Sequence, residues 1–210
     1  DKLKVFVPSK NKALGGFNRD GMAVELNPTP SSSPESASLK LRHLMTEIRD
    51  RLAIQNAFFT EEIGGNIFRK GVKDSFVPDI YMGGCDPDWN AYTESQNESQ
   101  INYYTYPFRY CGGHIHISVP SIRSFDQACE FIRRLKPLGQ YLATFENGKW
   151  SKKRRSVYGK EGDFRWKEKE KRIEYRTPDA TWMWSELSTN KIMPEIFKII
   201  SNSIQLFNHS

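Results

Sequence analysis

At 210 residues and 38% hydrophobic composition the chain can bury one substantial core, and no apolar run approaches the roughly 18 residues needed to cross a bilayer. Its net charge of +6 points to an anionic partner, but much of it is concentrated in "KWSKKRRSVYGKEGDFRWKEKEKRIEYR", where nucleic acid, nucleotide phosphates or a merely solvated face each account for it. Cys85, Cys111 and Cys129 are odd in number and widely spaced, which excludes a disulfide framework and a CxxC metal knuckle and predicts free thiols in a reducing, cytoplasmic setting; "DKLKVFVPSK" also lacks the apolar centre of a signal peptide.

Residues 2–7, "KLKVFV", alternate as a strand should. Residues 21–27, "GMAVELN", form a second strand candidate after the turn-rich "KNKALGGFNRD", so the two predict a hairpin. The prolines of "NPTPSSSPES" end the second strand by removing ladder donors, and Ser32 with Glu35 has the form of a capping box. Leu41, Leu44, Met45, Ile48 and Leu52 then recur at helical spacing, predicting an amphipathic helix to about Ala57.

From 58 to 107 the pattern weakens: "FVPDIYMGG" fits a short strand, and "DPDWNAYTESQNESQINYYTYP" reads as a long loop of the kind that often carries function. "GHIHISV" is a strand by β-branching and alternation. A helix is expected from Asp126, interrupted or kinked at Pro137 and resumed beyond it, and after the basic stretch come a short strand, "RIEYRT", and a final helix from about Lys191 with Ile192, Ile196, Ile199 and Ile200 inward. Strands and helices interleave irregularly and no repeat is evident, so residues 1–210 are expected to form a single α+β domain with a mainly antiparallel sheet and helices packed on one face.

Alternation puts His114 and His116 of "YCGGHIHIS" on one face of their strand and Ile115 and Ile117 on the other. The same parity pairs Glu25 with Asn27 in "AVELN" and Glu174 with Arg176 in "RIEYRT". A solvated sheet face is one explanation. The other is a metal and phosphate cradle, because every residue in this set binds metal, anion or proton. Gly112 and Gly113 fit either close approach of a ligand or a β-bulge. Arg109, Arg154, Arg155 and Arg165 suit phosphate, whose oxygens a guanidinium meets two at a time.

Several familiar devices are absent: GxxxxGK[ST], GxGxxG after a strand, GxSxG and HExxH. A histidine triad would need histidine where Ser118 stands, and a two-histidine phosphoesterase would need a second motif, so a His-dependent phosphoesterase is the weaker alternative. A stronger one is nucleic-acid binding by residues 149–176, with Trp150, Tyr158, Phe164 and Trp166 stacking on bases.

"RDGMAVELNPTPSSS", "GGCDPDWNAYT", "RYCGGHIHIS", "RRSVYGKEGDFR" and "RIEYRT" followed by "TWMW" resemble, in sequence and order, the phage-encoded carboxylate-amine ligase-like proteins of the glutamine synthetase superfamily. The resemblance runs from Arg19 to Trp184 and implies a glutamine synthetase-like catalytic sheet and an ATP-dependent amide ligase acting through an acyl phosphate in the host cytoplasm. It implies Mg²⁺ or Mn²⁺ at Glu25, His114 and Glu174, with Arg176 and Arg165 neutralising the transferring phosphoryl group. Arg109, Arg154 and His116 are expected at the nucleotide and its phosphates, His116 alternatively supporting the metal shell. Asp86, Asp88 and Asn90 are expected either to bind the amine substrate or to form an Asx-Pro turn. The substrates implied are a carboxylate and an amine of small molecules, peptides or proteins. Such proteins usually begin with a strand ending in Asp-Pro-Glu, whose acidic residue helps build the metal site; nothing ahead of "DKLKVFVPSK" supplies it, so the expectation is either a chain trimmed at its start, without its first strand, or a member that binds fewer metals.

Overall fold

In the computed structural model the residues described are 6–20, 23–57, 59, 65–67, 88–97, 108–146, 149–184 and 186–209. Gly15 and Gly16 mark the first departure from the expected hairpin. Rather than forming a turn, they begin a strand, β2 (Gly15–Asp20), which lies between β1 (Val7–Pro8) and β3 (Ala23–Pro28) in an antiparallel three-stranded sheet. A Cβ on Gly15 would stand 2.1 Å from the Asn27 carbonyl oxygen and one on Gly16 2.5 Å from the Phe6 ring, so the glycines serve close packing across the sheet.

Helix α1 (Pro34–Ile54) begins one residue later than the expected capping box: Ser33 is the N-cap, accepting from the Ser36 amide, and Pro34 occupies the first turn, where a missing N–H costs nothing. Its inward stripe, Leu44 and Ile48, packs with Phe17 and Leu26 beneath the three-stranded sheet.

A second sheet carries five strands in the order β6-β5-β9-β10-β8, from β5 (Trp89–Asn90), β6 (Ser95–Gln96), β8 (Ile115–Ser118), β9 (Asp163–Lys167) and β10 (Arg172–Tyr175). All its pairings are antiparallel. A separate antiparallel pair joins β4 (Gly65–Ile67) to β7 (Phe108–Tyr110). The apolar face of the five-stranded sheet, with Ile117, Phe164, Ile173 and Tyr175 all but fully buried, packs against helices α2 (Phe125–Arg134), α3 (Lys136–Ala143) and α5 (Glu186–Asn208) in the main core. Full burial of one such side chain contributes about 1.5–3 kcal/mol.

Of the two outcomes expected at Pro137 the helix takes the interruption: Leu135 ends α2, and the proline stands in the first turn of α3. The final helix starts five residues ahead of Lys191, with Ile192 and Ile196 buried as its periodicity predicts. The basic stretch, to which the sequence pattern assigns no element ahead of "RIEYRT", is structured: its first part is helix α4 (Lys149–Val157), and β9 follows. The α+β class and antiparallel sheet therefore stand. The expected strands over residues 2–5 and in "FVPDIYMGG" lie outside the described residues.

The buried carboxylate of Glu47 ties α1 to the chain around β1, accepting from the Ser9 hydroxyl, the Lys10 amide at 3.0 Å and Arg51 Nη2 at 2.6 Å. Burial alone would raise its pKa; the bonds to Ser9, Lys10 and Arg51 outweigh burial and lower it from the ordinary 4.5 to about 2. Because the folded value is the lower one, this stabilisation is complete above about pH 4.5 and is lost as pH falls toward 2. Urea denaturation should find Glu47→Gln destabilised by about 1–3 kcal/mol at neutral pH, with the gap to wild type closing toward the acid end of that window.

Candidate active site

On the face of the five-stranded sheet turned away from the core, β10 and its neighbours bring charged side chains together. The antiparallel register sets Glu174 directly between His116 on β8 and Arg165 on β9. Arg176, just past the end of β10, falls on the same side as Glu174 because their spacing is two.

Glu174 receives Arg165 Nη1 at 3.2 Å and also pairs with Arg176 Nη1. Asp88, immediately before β5, pairs with the same two arginines, at 2.6 Å to Arg176 Nε and 3.3 Å to Arg165 Nη2. His114 closes the group: its Nδ1 lies 3.4 Å from Glu174 Oε1, and its Nε2 lies 2.6 Å from the Tyr158 hydroxyl, which accepts from Arg176 Nη2 at 2.7 Å. Arg176, Glu174 and Asp88 are buried, with 1%, 5% and 8% of their surfaces exposed. Two carboxylates and two guanidinium groups thus balance one another away from bulk water.

Burial raises the pKa of Glu174, but the hydrogen bond from His114 and the charges of Arg176 and Arg165 outweigh it and hold the carboxyl well below its usual range. Asp88 goes the other way, because burial outweighs the two arginines. Glu174 is therefore the firmly ionised member. Burial, reinforced by the Arg176 and Arg154 charges, lowers His114 to about 4, so the ring is neutral at physiological pH.

The structure brings His114, Glu174, Arg165 and Arg176 together; Asp88, read from the sequence as an amine-binding or Asx-Pro-turn residue, joins them, and His116 is exposed beside them. Glu25 is not among them. It lies exposed on β3, in the other sheet, directly across from Asn18, so shared strand parity did not mean a shared sheet. Among the described residues no three His, Cys, Asp or Glu side chains are arranged to hold a metal ion. Asn90 binds inward, its amide donating to Asp163 Oδ1 at 2.9 Å and to the Glu161 carbonyl at 2.8 Å. Arg109 lies on β7 and donates to the Phe108 carbonyl at 2.8 Å. Asp86 lies outside the described residues.

Arg154, expected at phosphate, is fully buried and donates to the carbonyls of Thr177, Arg176 and Pro178 at 2.8, 3.2 and 3.0 Å. It is a strut behind the strand end that carries Arg176. The glycines of "YCGGHIHIS" make room for protein groups: a Cβ on Gly112 would stand 2.1 Å from His114 Nε2, and one on Gly113 2.2 Å from the Asp179 carbonyl oxygen. Of the aromatics expected to stack on bases, Phe164 is wholly buried and Trp166 packs against the core. Tyr158, which the sequence offered only as a base-stacking aromatic, joins the cluster through its hydroxyl and stands within the motif "RRSVYGKEGDFR".

A family model described as "Phage phiEco32-like COOH.NH2 ligase-type 2" matches residues 98–209, which include every member of the cluster except Asp88. No curated protein and no solved structure matches the chain.

Arg154→Leu would take this donor from the Thr177 and Arg176 carbonyls, whereas the Pro178 carbonyl keeps the Gly113 N–H at 3.0 Å; chemical denaturation should show a loss of about 2 kcal/mol or more, from about 1–3 kcal/mol for each buried unpaired group. For His114 the folded pKa, about 4, lies below the ordinary 6.5, so the unfolded chain binds this proton more readily between those values. Stability should therefore fall as pH drops from about 6.5 to about 4 and then level for this group, a segment of the pH profile that His114→Gln should flatten.

Proposed function

The chain belongs to the phage phiEco32-like COOH.NH2 ligase family, type 2, and from this premise we propose that it is an ATP-dependent ligase joining a carboxylate to an amine through an acyl phosphate on a glutamine synthetase-like sheet. In this reaction a carboxylate oxygen takes the γ-phosphoryl group of ATP and ADP leaves. The amine nitrogen then attacks the acyl carbon, inorganic phosphate departs and the amine loses a proton.

The observation that carries the reading is the convergence of Arg165 and Arg176, from adjacent strands, on one polar sheet face. A dissociative phosphoryl transfer develops charge on the equatorial oxygens, and catalysis consists largely of positioning and electrostatic neutralisation. Arg165 and Arg176 supply this neutralisation from fixed positions. Because Glu174 and Asp88 already orient them, little reorganisation accompanies the reaction. The apolar face beneath keeps the sheet rigid, and Arg154 fixes the backbone at Arg176.

Mg²⁺ or Mn²⁺ fits as a companion of the nucleotide. Two guanidinium groups oppose a bare cation, whereas hard cations commonly take one or two protein donors together with phosphate oxygens. Glu174, the firmly ionised carboxylate of the cluster, would hold it; His114 has both ring nitrogens engaged within the cluster, and Glu25 lies in the other sheet. It would supply further neutralisation of the phosphates.

Incubation with ATP and panels of carboxylates and amines, read by mass, should yield an amide product lighter than the summed substrates by one water. Arg176→Gln should lower product formation by about 100-fold or more, the scale of losing one preorganised charge-stabilising group. Absence of ATP consumption across the panels would defeat the reading.

A further inference from the structure

Building on the ligase reading, we propose that Tyr158 is a positioning residue: its hydroxyl joins the arginine assigned to the phosphoryl group to the histidine beside Glu174 and fixes the direction of both.

Tyr158 immediately follows α4, and its backbone N–H donates to the Arg154 carbonyl at 2.7 Å. At the next residue the chain takes φ +67°, and a Cβ there would stand 2.4 Å from Arg154 Nη1; Gly159 alone meets both demands. The turn sets the Tyr158 ring between two guanidinium groups, 4.7 Å from Arg154 and 5.3 Å from Arg176 to the ring centroid. Its hydroxyl then meets Arg176 Nη2 at 2.7 Å and His114 Nε2 at 2.6 Å.

The donors along this chain can be ordered. Arg176 has only donors, so it gives a proton to the Tyr158 oxygen. His114 Nδ1 lies 3.4 Å from both Glu174 Oε1 and Arg176 Nη1; Nη1 is directed at Glu174 by a much shorter contact, and a nitrogen lone pair facing the carboxylate would be repelled, so Nδ1 carries the ring hydrogen. Nε2 is then the acceptor, and Tyr158 donates to it. The bonds run from Arg176 to Tyr158, to His114, to Glu174, and the second contact of Arg176 with Glu174 closes the ring.

This arrangement bears on phosphoryl transfer. Arg176 is a long side chain held at three points: Asp88 at Nε, Glu174 at Nη1 and Tyr158 at Nη2. An incoming oxyanion repels the two carboxylates and competes with them for the guanidinium. The hydroxyl is uncharged, so it keeps its hold on Arg176 with or without the anion. Its oxygen accepts from Arg176 while its hydrogen goes to His114 Nε2, so one group directs both side chains.

The test compares the whole chain with Tyr158→Phe, which keeps the ring between the guanidinium groups and removes only the bridging oxygen. In ¹⁵N-labelled wild type, imidazole spectra should place the His114 hydrogen on Nδ1; in Tyr158→Phe the Nε2 signal should shift as its hydrogen bond is lost. Melting temperature should fall by no more than about 10 °C, the scale of two hydrogen bonds in a chain of this size, while affinity for inorganic tripolyphosphate should fall about tenfold. A hydrogen on Nε2 in wild type, unchanged ring signals in the variant, or tripolyphosphate affinity within about twofold of wild type despite a retained fold would each overturn the proposal. A wild type with no affinity for tripolyphosphate would instead strike at the ligase reading, and the ring signals of His114 would still decide the role of Tyr158.

Discussion

Glu174 and Asp88 hold charge away from water, and Arg165 and Arg176 hold the compensating charge beside them. Removing a single carboxylate or guanidinium from water carries an effective penalty of several kcal/mol, so none of the four is stable there alone. That demand constrains the sheet. β9 must pair with β10 in the register that sets Arg165 opposite Glu174, and the chain entering β5 must deliver Asp88 to the same two arginines. The arrangement also has a chemical consequence: the guanidinium donors are already aimed at oxygen atoms of carboxylates. A phosphoryl oxyanion would meet guanidinium groups whose positions the carboxylates already fix.

Behind the charged face, groups that never meet a substrate fix its geometry. Arg154 binds three consecutive carbonyls and so holds the backbone on which Arg176 stands. The Trp182 indole donates to the Gly113 carbonyl at 3.2 Å, and the bare α-carbons of Gly112 and Gly113 leave space for the His114 ring and the Asp179 backbone. On the opposite side Phe164, Ile173 and Tyr175 tie the same strands into the helical core. A sheet anchored on one face and charge-balanced on the other suits electrostatic catalysis, in which donors must be in place before charge develops.

Much of this was legible in the sequence because period-two alternation reports directly which side chains share a face. Glu174 and Arg176 followed from "RIEYRT", and His114 and His116 from "GHIHISV". Parity does not say which sheet a strand joins, which is why Glu25 appeared beside residues from which β3 is separate. The alternation of Phe164 and Trp166 with Arg165 and Lys167 was also present, but the dense charges around it masked strand β9. Arg154 looked like a phosphate ligand because residue type does not reveal direction; only the fold turns it toward three carbonyls. Gly15 and Gly16 read as a turn because glycine serves turns and close strand packing alike.

The central claim is that the Arg165 and Arg176 pair forms an oxyanion site in a member of a ligase family. Calorimetric titration of ATP with Mg²⁺ into wild type, Arg165→Gln and the charge-balanced pair Arg176→Gln with Glu174→Gln tests it most directly, since the balanced pair avoids stranding a buried carboxylate. The account predicts binding to wild type and at least about tenfold weaker binding to both variants, the loss expected from one charge-assisted contact. Affinity within about twofold of wild type in both, with each variant folded, would contradict it.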